Sequence, residues 1–193
     1  MNKEKLISFI QQVHPIPVKM VEEITAQFQS IEIRKNDFFI EEGKVCNQYL
    51  FLETGFIRSF TIDLDGNEVT TEFYSDNQIA FEVGSFFQKT VSKETFQALE
   101  DCSGWFITFD QLQFLFHSLP EFREFGRAIL VRGFISFKQR TLSLINESAE
   151  KRYETLMSAR PQLIQKTPLK YIASYLGITD SSLSRIRREI SHK

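Results

Sequence analysis

The sequence predicts an α+β chain: a small antiparallel β domain, then one long helix, then a small all-α unit ending in a helix-turn-helix. Three observations predict it. Residues 31–109 break into short strand-like runs separated by turn signals, with no helical pattern between them. Residues 120–147 keep helical spacing, which at 1.5 Å per residue makes a rod of roughly 40 Å. Near the carboxyl end, YIASYLGITDSSLSRIRREI at 171–190 sets two amphipathic runs on either side of Gly177.

Composition narrows the class. At 193 residues, 42% hydrophobic and 25% charged, the chain has an ordinary folded composition, long enough for one large domain or a medium one plus a small one. No apolar run approaches the roughly 20 residues of a membrane span. The start, MNKEKLISFIQQVHP, has too short and too polar a core for a secretory signal, so the cytoplasm is the expected location, with no membrane partner. Cys46 and Cys102 are too few for a disulfide framework, and nothing beside them suggests an activated thiolate. His14, His117 and His192 are scattered, so no metal site is expected. Charge is uneven: residues 1–119 hold nine Lys/Arg against 18 Asp/Glu, a net of −9. Residues 120–193 hold 14 against seven, a net of +7. That asymmetry predicts one basic partner surface on an otherwise acidic protein.

The elements follow in order. Leu6, Ile7, Ile10 and Val13, then Val21, Ile24 and Phe28, give two short helices parted by Pro15 and Pro17. The runs IEIRK, YLFLE, FIRSFTIDL, EVTTEFY, QIAFEV, TFQALE and GWFITF are expected strands of a sandwich, jelly roll or barrel. LDGN at 64–67 predicts a two-residue hairpin connection, and Thr54-Gly55 a second turn. Sixteen of the 20 phenylalanines precede residue 120, as core packing for a small β domain. Pro120 opens the long helix, apolar on more than one face as far as Phe137. Gly126, Leu130, Gly133 and Phe137 recur at 4,3,4 spacing, so one face is expected on the β domain and the other at a dimer seam. A polar stretch with a connector near Arg160-Pro161 follows.

The last segment is the most specific. Thr167-Pro168 reads as N-cap and first helical position, and Ile172, Ala173 and Leu176 as one apolar stripe. Gly177 supplies the left-handed break, Ile178 plugs the corner, and Thr179 caps a helix whose Leu183, Ile186 and Ile190 face inward. Asp180, Ser181, Ser184, Arg185, Arg187 and Arg188 are left outside. Short polar groups followed by guanidinium forks suit a DNA major groove and its phosphates.

This layout resembles the Crp/Fnr transcription regulators, and most closely the Bacteroidetes-type members, whose ends read much like IASYLGIT…LSRIRRE. The resemblance covers nearly the whole chain and is most specific over 167–190. It implies a cyclic-nucleotide-binding-like β-roll (double-stranded, jelly-roll-like) sensor at 1–119 with the N-terminal helices, a dimerisation helix at 120–147, and a helix-turn-helix DNA-binding domain at 148–193. The family usually has a β-hairpin on each side of the motif, and the link from Arg160 to Thr167 is too short for the first, so a minimal domain with the wing absent is expected. By the family's pattern Ser181 and Arg185 read base edges with Asp180 beside them, and Thr179 and Ser184 are counted with the DNA-binding surface. Arg187 and Arg188 are assigned to phosphates by helical phase. The implied partners are double-stranded DNA, a second copy of the chain, and RNA polymerase.

Cyclic-nucleotide-binding members carry Gly-Glu-Leu and, about ten residues on, Arg-Ser/Thr-Ala. Here Glu82-Val83 matches Glu-Leu, but Phe81 stands where glycine is expected, and the arginine position falls at Ser92-Lys93-Glu94. Lys93 lacks the planar fork of an arginine and Glu94 repels phosphate. Glu82, Val83, Ser92, Lys93 and Thr95 are thus the expected lining of a pocket for a small effector that is not cyclic AMP, the alternative being a vestigial pocket that takes no ligand. No cofactor is identified, because haem and iron–sulfur sensing need ligands the chain lacks. An enzyme of the cupin sort needs wall histidines, and 31–109 has none, so no catalytic residue is assigned. The alternative is a protein–protein adaptor, or an effector-binding module, that has lost DNA binding.

Overall fold

Two short helices, α1 (Glu4–Val13) and α2 (Val18–Ala26), stand on either side of the expected proline break. Leu6 and Ile10, one turn apart, point α1 inward, and Val21 and Ile24 do the same for α2. The computed structural model describes residues 2–191, so His192, one of the three histidines, lies outside the described residues.

Eight strands follow: β1 (Gln29–Ile33), β2 (Phe38–Ile40), β3 (Gln48–Thr54), β4 (Ile57–Ile62), β5 (Glu68–Tyr74), β6 (Gln78–Ala80), β7 (Thr95–Ala98) and β8 (Cys102–Thr108). They form two four-stranded sheets, ordered β1-β8-β3-β6 and β2-β7-β4-β5. The chain crosses between sheets after most strands, the path of a jelly roll. β8 is the spine of the first sheet, antiparallel to β1 (Ile31 opposite Gly104) and to β3 (Phe51 opposite Trp105). Leu50, Phe51, Leu52, Ile57, Phe96 and Ile107 are buried in one hydrophobic core, Phe51 lying against Phe9 of α1 with ring centroids 5.0 Å apart, so the phenylalanine-rich composition is largely core.

Two local expectations are corrected, and one strand is added. QIAFEV is a strand only as far as Ala80; Val83–Gln88 is a helix, α3. Glu82 switches the conformation, its carboxylate accepting from the amides of Gly84 at 3.0 Å and Ser85 at 2.5 Å. A charged cap on two open donors outweighs the strand preference of Val83 and Phe86. Phe38-Phe39-Ile40, not singled out in the sequence, is a strand, short and without alternation. The LDGN turn spans five residues rather than two: Asp63 accepts from the amides of Asp65 and Asn67 at 2.9 and 2.8 Å, and its own amide donates to the Asn67 carbonyl at 3.0 Å. Only Gly66 takes positive φ, +84°, so the type I′ pair expected of Asp-Gly does not form.

After α4 (Phe109–Ser118), capped by Thr108 and Gln111, comes α5 (Pro120–Asn146), 27 residues and about 40 Å long. Phe122, Phe125 and Gly126 are its buried residues. Gly126 is not on an open seam: a Cβ there would lie 2.6 Å from the Phe116 ring, so its smallness serves packing within the chain. The apolar side chains that α5 leaves exposed are instead Leu130, Val131, Phe134, Phe137, Leu142 and Ile145 among others. Then come α6 (Ala149–Ala159), α7 (Pro161–Lys166), α8 (Leu169–Tyr175) and α9 (Asp180–Ser191). The expected connector at Arg160-Pro161 is thus the start of α7, with proline at its first position.

By Cα proximity the chain divides into two compact units: one runs to Ser59 and resumes over Phe73–Gly133, the other holds Phe60–Glu72 and the chain from Phe134. The division runs through α5. No helix among the described residues is long and apolar enough to cross a membrane.

Candidate nucleic-acid interface and effector site

α8 and α9 pack on each other through Ile172, Ala173, Leu176, Leu183 and Ile186, all buried. The turn between them is a Schellman motif. The amide of Ile178 donates to the Ala173 carbonyl and that of Gly177 to the Ser174 carbonyl, both at 3.0 Å, with Gly177 at φ +69°. Thr179 caps α9: its hydroxyl accepts from the Ser182 amide at 3.2 Å and its carbonyl from the Leu183 amide at 3.0 Å. One expectation shifts by a residue. Pro168, at ψ 137°, is itself the residue before α8, and Thr167 makes no capping bond; its buried hydroxyl has no hydrogen-bond partner among the described residues.

Thr179, Asp180, Ser181, Ser184, Arg185, Arg187 and Arg188 are all exposed. At about 100° per residue, Ser181, Ser184, Arg185 and Arg188 share the face opposite Leu183, Ile186 and Ile190, while Arg187 and Asp180 lie on its flank. The Ser181 hydroxyl sits 3.0 Å from that of Thr179, so part of its bonding capacity is used locally. Asp180 in the first turn and Arg188 in the last complement the helix dipole.

Behind α8 lies a support that the sequence did not disclose. Arg140 of α5 donates to the Tyr175 carbonyl at 3.1 Å, and Arg152 of α6 to the Leu176 carbonyl at 2.8 and 3.2 Å. These carbonyls end α8, where a helix leaves acceptors open. From the β4–β5 hairpin the Thr70 amide donates to the Ser174 hydroxyl at 3.1 Å, and Glu72 pairs with Arg160 at 2.9 Å. No local pattern signals bonds between residues so far apart in sequence.

Three of the five expected effector residues make hydrogen bonds within the β-roll. The Glu82 carboxylate is spent on its own helix. Buried Ser92 bonds the Glu94 carbonyl at 2.7 Å through its hydroxyl. The Thr95 hydroxyl accepts from the Glu42 amide at 3.1 Å. Val83 and Lys93 are exposed. A cleft of about 360 Å³ opens between Phe39, Lys44, Cys46 and Thr108, and none of the five expected residues lines it. Arg58, buried in β4, is turned to the Gln97 side chain at 2.9 Å. Both cysteines are buried and free; burial pushes the Cys102 thiol up to about 11 and raises that of Cys46 as well.

Residues 30–118 match the cyclic nucleotide-binding domain. No curated protein sequence matches this one. Among solved structures, FixK2 from Bradyrhizobium japonicum aligns with a TM-score of 0.74 at 16% identity, covering 86% of this chain and 85% of that one. A protein from Eubacterium rectale assigned to the Crp/Fnr family of transcriptional regulators gives 0.72 at 14%, over 91% and 84%. The regulator CLP of Xanthomonas campestris gives 0.69 at 13%, over 91% and 92%. The chain has the fold of the Crp/Fnr regulators.

The Crp/Fnr fold accounts for the order of β-roll, long helix and terminal helix pair. Among the described residues beyond Gly133 this chain carries no strand, and α7 occupies the stretch between Arg160 and Thr167. Within the region that matches the cyclic nucleotide-binding domain, Phe81 is buried among Tyr49, Phe86 and Phe87, ring centroids 4.7, 5.5 and 6.0 Å away. The position at which the sequence pattern expects a glycine thus holds an aromatic core residue.

Proposed function

We propose that this chain is a sequence-specific DNA-binding transcription regulator without enzymatic activity, acting in the cytoplasm as a homodimer. The observation that carries the reading is α9: a capped helix, held on its inner face by Leu183 and Ile186, whose outer face offers Ser181, Ser184, Arg185 and Arg188. In this reading Ser181 and Arg185 meet base edges, Arg187 and Arg188 phosphates, and Thr179, Asp180 and Ser184 complete the surface.

The functional divisions are a sensor at 1–119, a dimer helix at 120–147 and a DNA-binding domain at 148–193. Leu130, Phe134, Phe137 and Ile145 supply the seam, since an apolar stripe of this size on an exposed helix calls for a second copy. Two recognition helices on a two-fold axis then meet successive major grooves, so the site is a pseudo-palindrome with half-sites about 34 Å apart. The β-roll takes a small effector other than a cyclic nucleotide, a reading supported by Phe81 and by the engagement of Glu82 within α3. RNA polymerase is the further partner.

Selection of binding sites from a random duplex pool with purified protein, at fixed moderate salt, tests this. Enrichment of a palindrome with one-turn spacing is expected. Enrichment of nothing, with no salt-dependent affinity for any duplex, would leave an adaptor in its place.

A further inference from the structure

In the unit that resumes at Phe134, a cleft of about 350 Å³ opens between the C-terminal half of α5, α6 and the end of α8. Three arginines line it, Arg140, Arg152 and Arg160, against one acid, Glu147. Glu72 pairs with Arg160, and even with that charge counted the surroundings stay positive. Leu144, Leu156 and Leu176 give the cleft an apolar floor. Arg152 is committed, bonding the Leu176 carbonyl and, at 2.6 Å, the Glu147 carbonyl. Arg140 is not used up. It gives one donor to the Tyr175 carbonyl and lays its guanidinium 4.2 Å from the centre of the Tyr175 ring, while a guanidinium carries five N–H donors.

An excess of guanidinium charge beside an apolar floor describes its complement: an anion on a planar or apolar body. The volume lies near the lower end for small-molecule sites, roughly 300–1,000 Å³, which suits a mononucleotide better than a dinucleotide. We propose that this cleft is a binding site for a phosphate monoester of mononucleotide size, with Arg140 as the principal anion ligand and the Arg140–Tyr175 stack as its planar wall. The site is separate from the β-roll and does not depend on whether the chain binds DNA. It stands where a ligand can be felt, because the carbonyls held by Arg140 and Arg152 close α8 immediately before Gly177. A phosphate bound to the remaining donors of Arg140 thus engages the side chain that holds the end of the first helix of the pair.

Calorimetric titration of the full chain with adenosine 5′-monophosphate, and separately with adenosine, tests the site. Saturable binding of one monophosphate per chain is expected, with none of the uncharged nucleoside. Thr155→Trp fills the cleft from an exposed position on α6, and Arg140→Gln removes the charge but keeps an amide donor. Each should weaken binding by at least about tenfold, the loss expected of a charge-assisted hydrogen bond or a blocked pocket. Lys93→Ala, on the β-roll, should leave it unchanged. Absence of saturable binding, equal binding of adenosine, or affinity that survives Thr155→Trp in a chain with unaltered circular dichroism overturns the proposal. So does affinity lost in Lys93→Ala.

Discussion

Phe134→Ala is the sharpest perturbation of the expected dimer seam. Phe134 leaves 67% of its surface open on α5, with Phe137 at 66% and Ile145 at 71% nearby. A phenylalanine side chain can bury roughly 200 Å², so about 130 Å² of Phe134 is available to a second copy. At ~25 cal/mol per Å² that area contributes ~3 kcal/mol, of which alanine retains about a third. The substitution occurs once per protomer, so the two-fold pair loses ~4 kcal/mol. At about 1.4 kcal/mol per tenfold, the dissociation constant of the dimer should rise about 10³-fold. Sedimentation velocity over a concentration series measures it directly. Circular dichroism of the variant at low concentration should match the parent, since the side chain packs little on its own chain. Phe114→Ala is the control, being 61% exposed on α4 and outside the seam, and should leave the constant unchanged. A dissociation constant unmoved by Phe134→Ala, or moved equally by Phe114→Ala, refutes the seam.

Arg185→Ala should cost about 1–3 kcal/mol on the selected site and relax preference at one base position; equal losses on all duplexes would remove it as a base reader. Arg187→Ala should weaken every duplex alike and lower the slope of log affinity against log salt by about 0.9, and an unchanged slope rules out its phosphate contact. Gly177→Ala places its Cβ in ordinary contact, 3.5 Å from Leu144 Cδ2, so its cost is the left-handed backbone, about 1–2 kcal/mol, seen as a lower melting temperature. A melting curve identical to the parent's would mean that the turn carries no strain. For Cys102, the folded thiol titrates at about 11 and the unfolded one near 9.0, so the unfolded chain gives up its proton first. Stability should therefore fall as pH rises from about 9 to about 11, and Cys102→Ser should flatten that part of the profile. An equally steep profile in the variant would point to other groups.

What could be read from the sequence were the features whose cause is local. The proline break between α1 and α2, the glycine that turns α8 into α9, and the Thr179 cap each depend on groups a few residues apart. Their residue types nearly determine the backbone. The inward face of α9 was legible for the same reason, since Leu183, Ile186 and Ile190 lie on one side of any helix. Even here competition between neighbours misled: Glu82 is close in sequence to the strand it ends, but its pull on two amides outweighs apolar residues that otherwise favour extension.

Only the tertiary structure decided which surfaces remained open. Gly126 and Gly133 look alike in the α5 repeat, yet the ring of Phe116 covers the first, while a Cβ at the second would meet no other side chain within 4 Å among the described residues. The candidate pocket residues Ser92 and Thr95 look available in sequence and are taken by backbone partners that folding brings to them. Arg140 and Arg152 read as ordinary helix-surface charges until the end of α8 arrives beside them. The physical reason is common to these cases. A hydrogen bond or a ring contact is satisfied by whatever lies within a few ångströms, and for residues dozens of positions apart only the folded path supplies that neighbour.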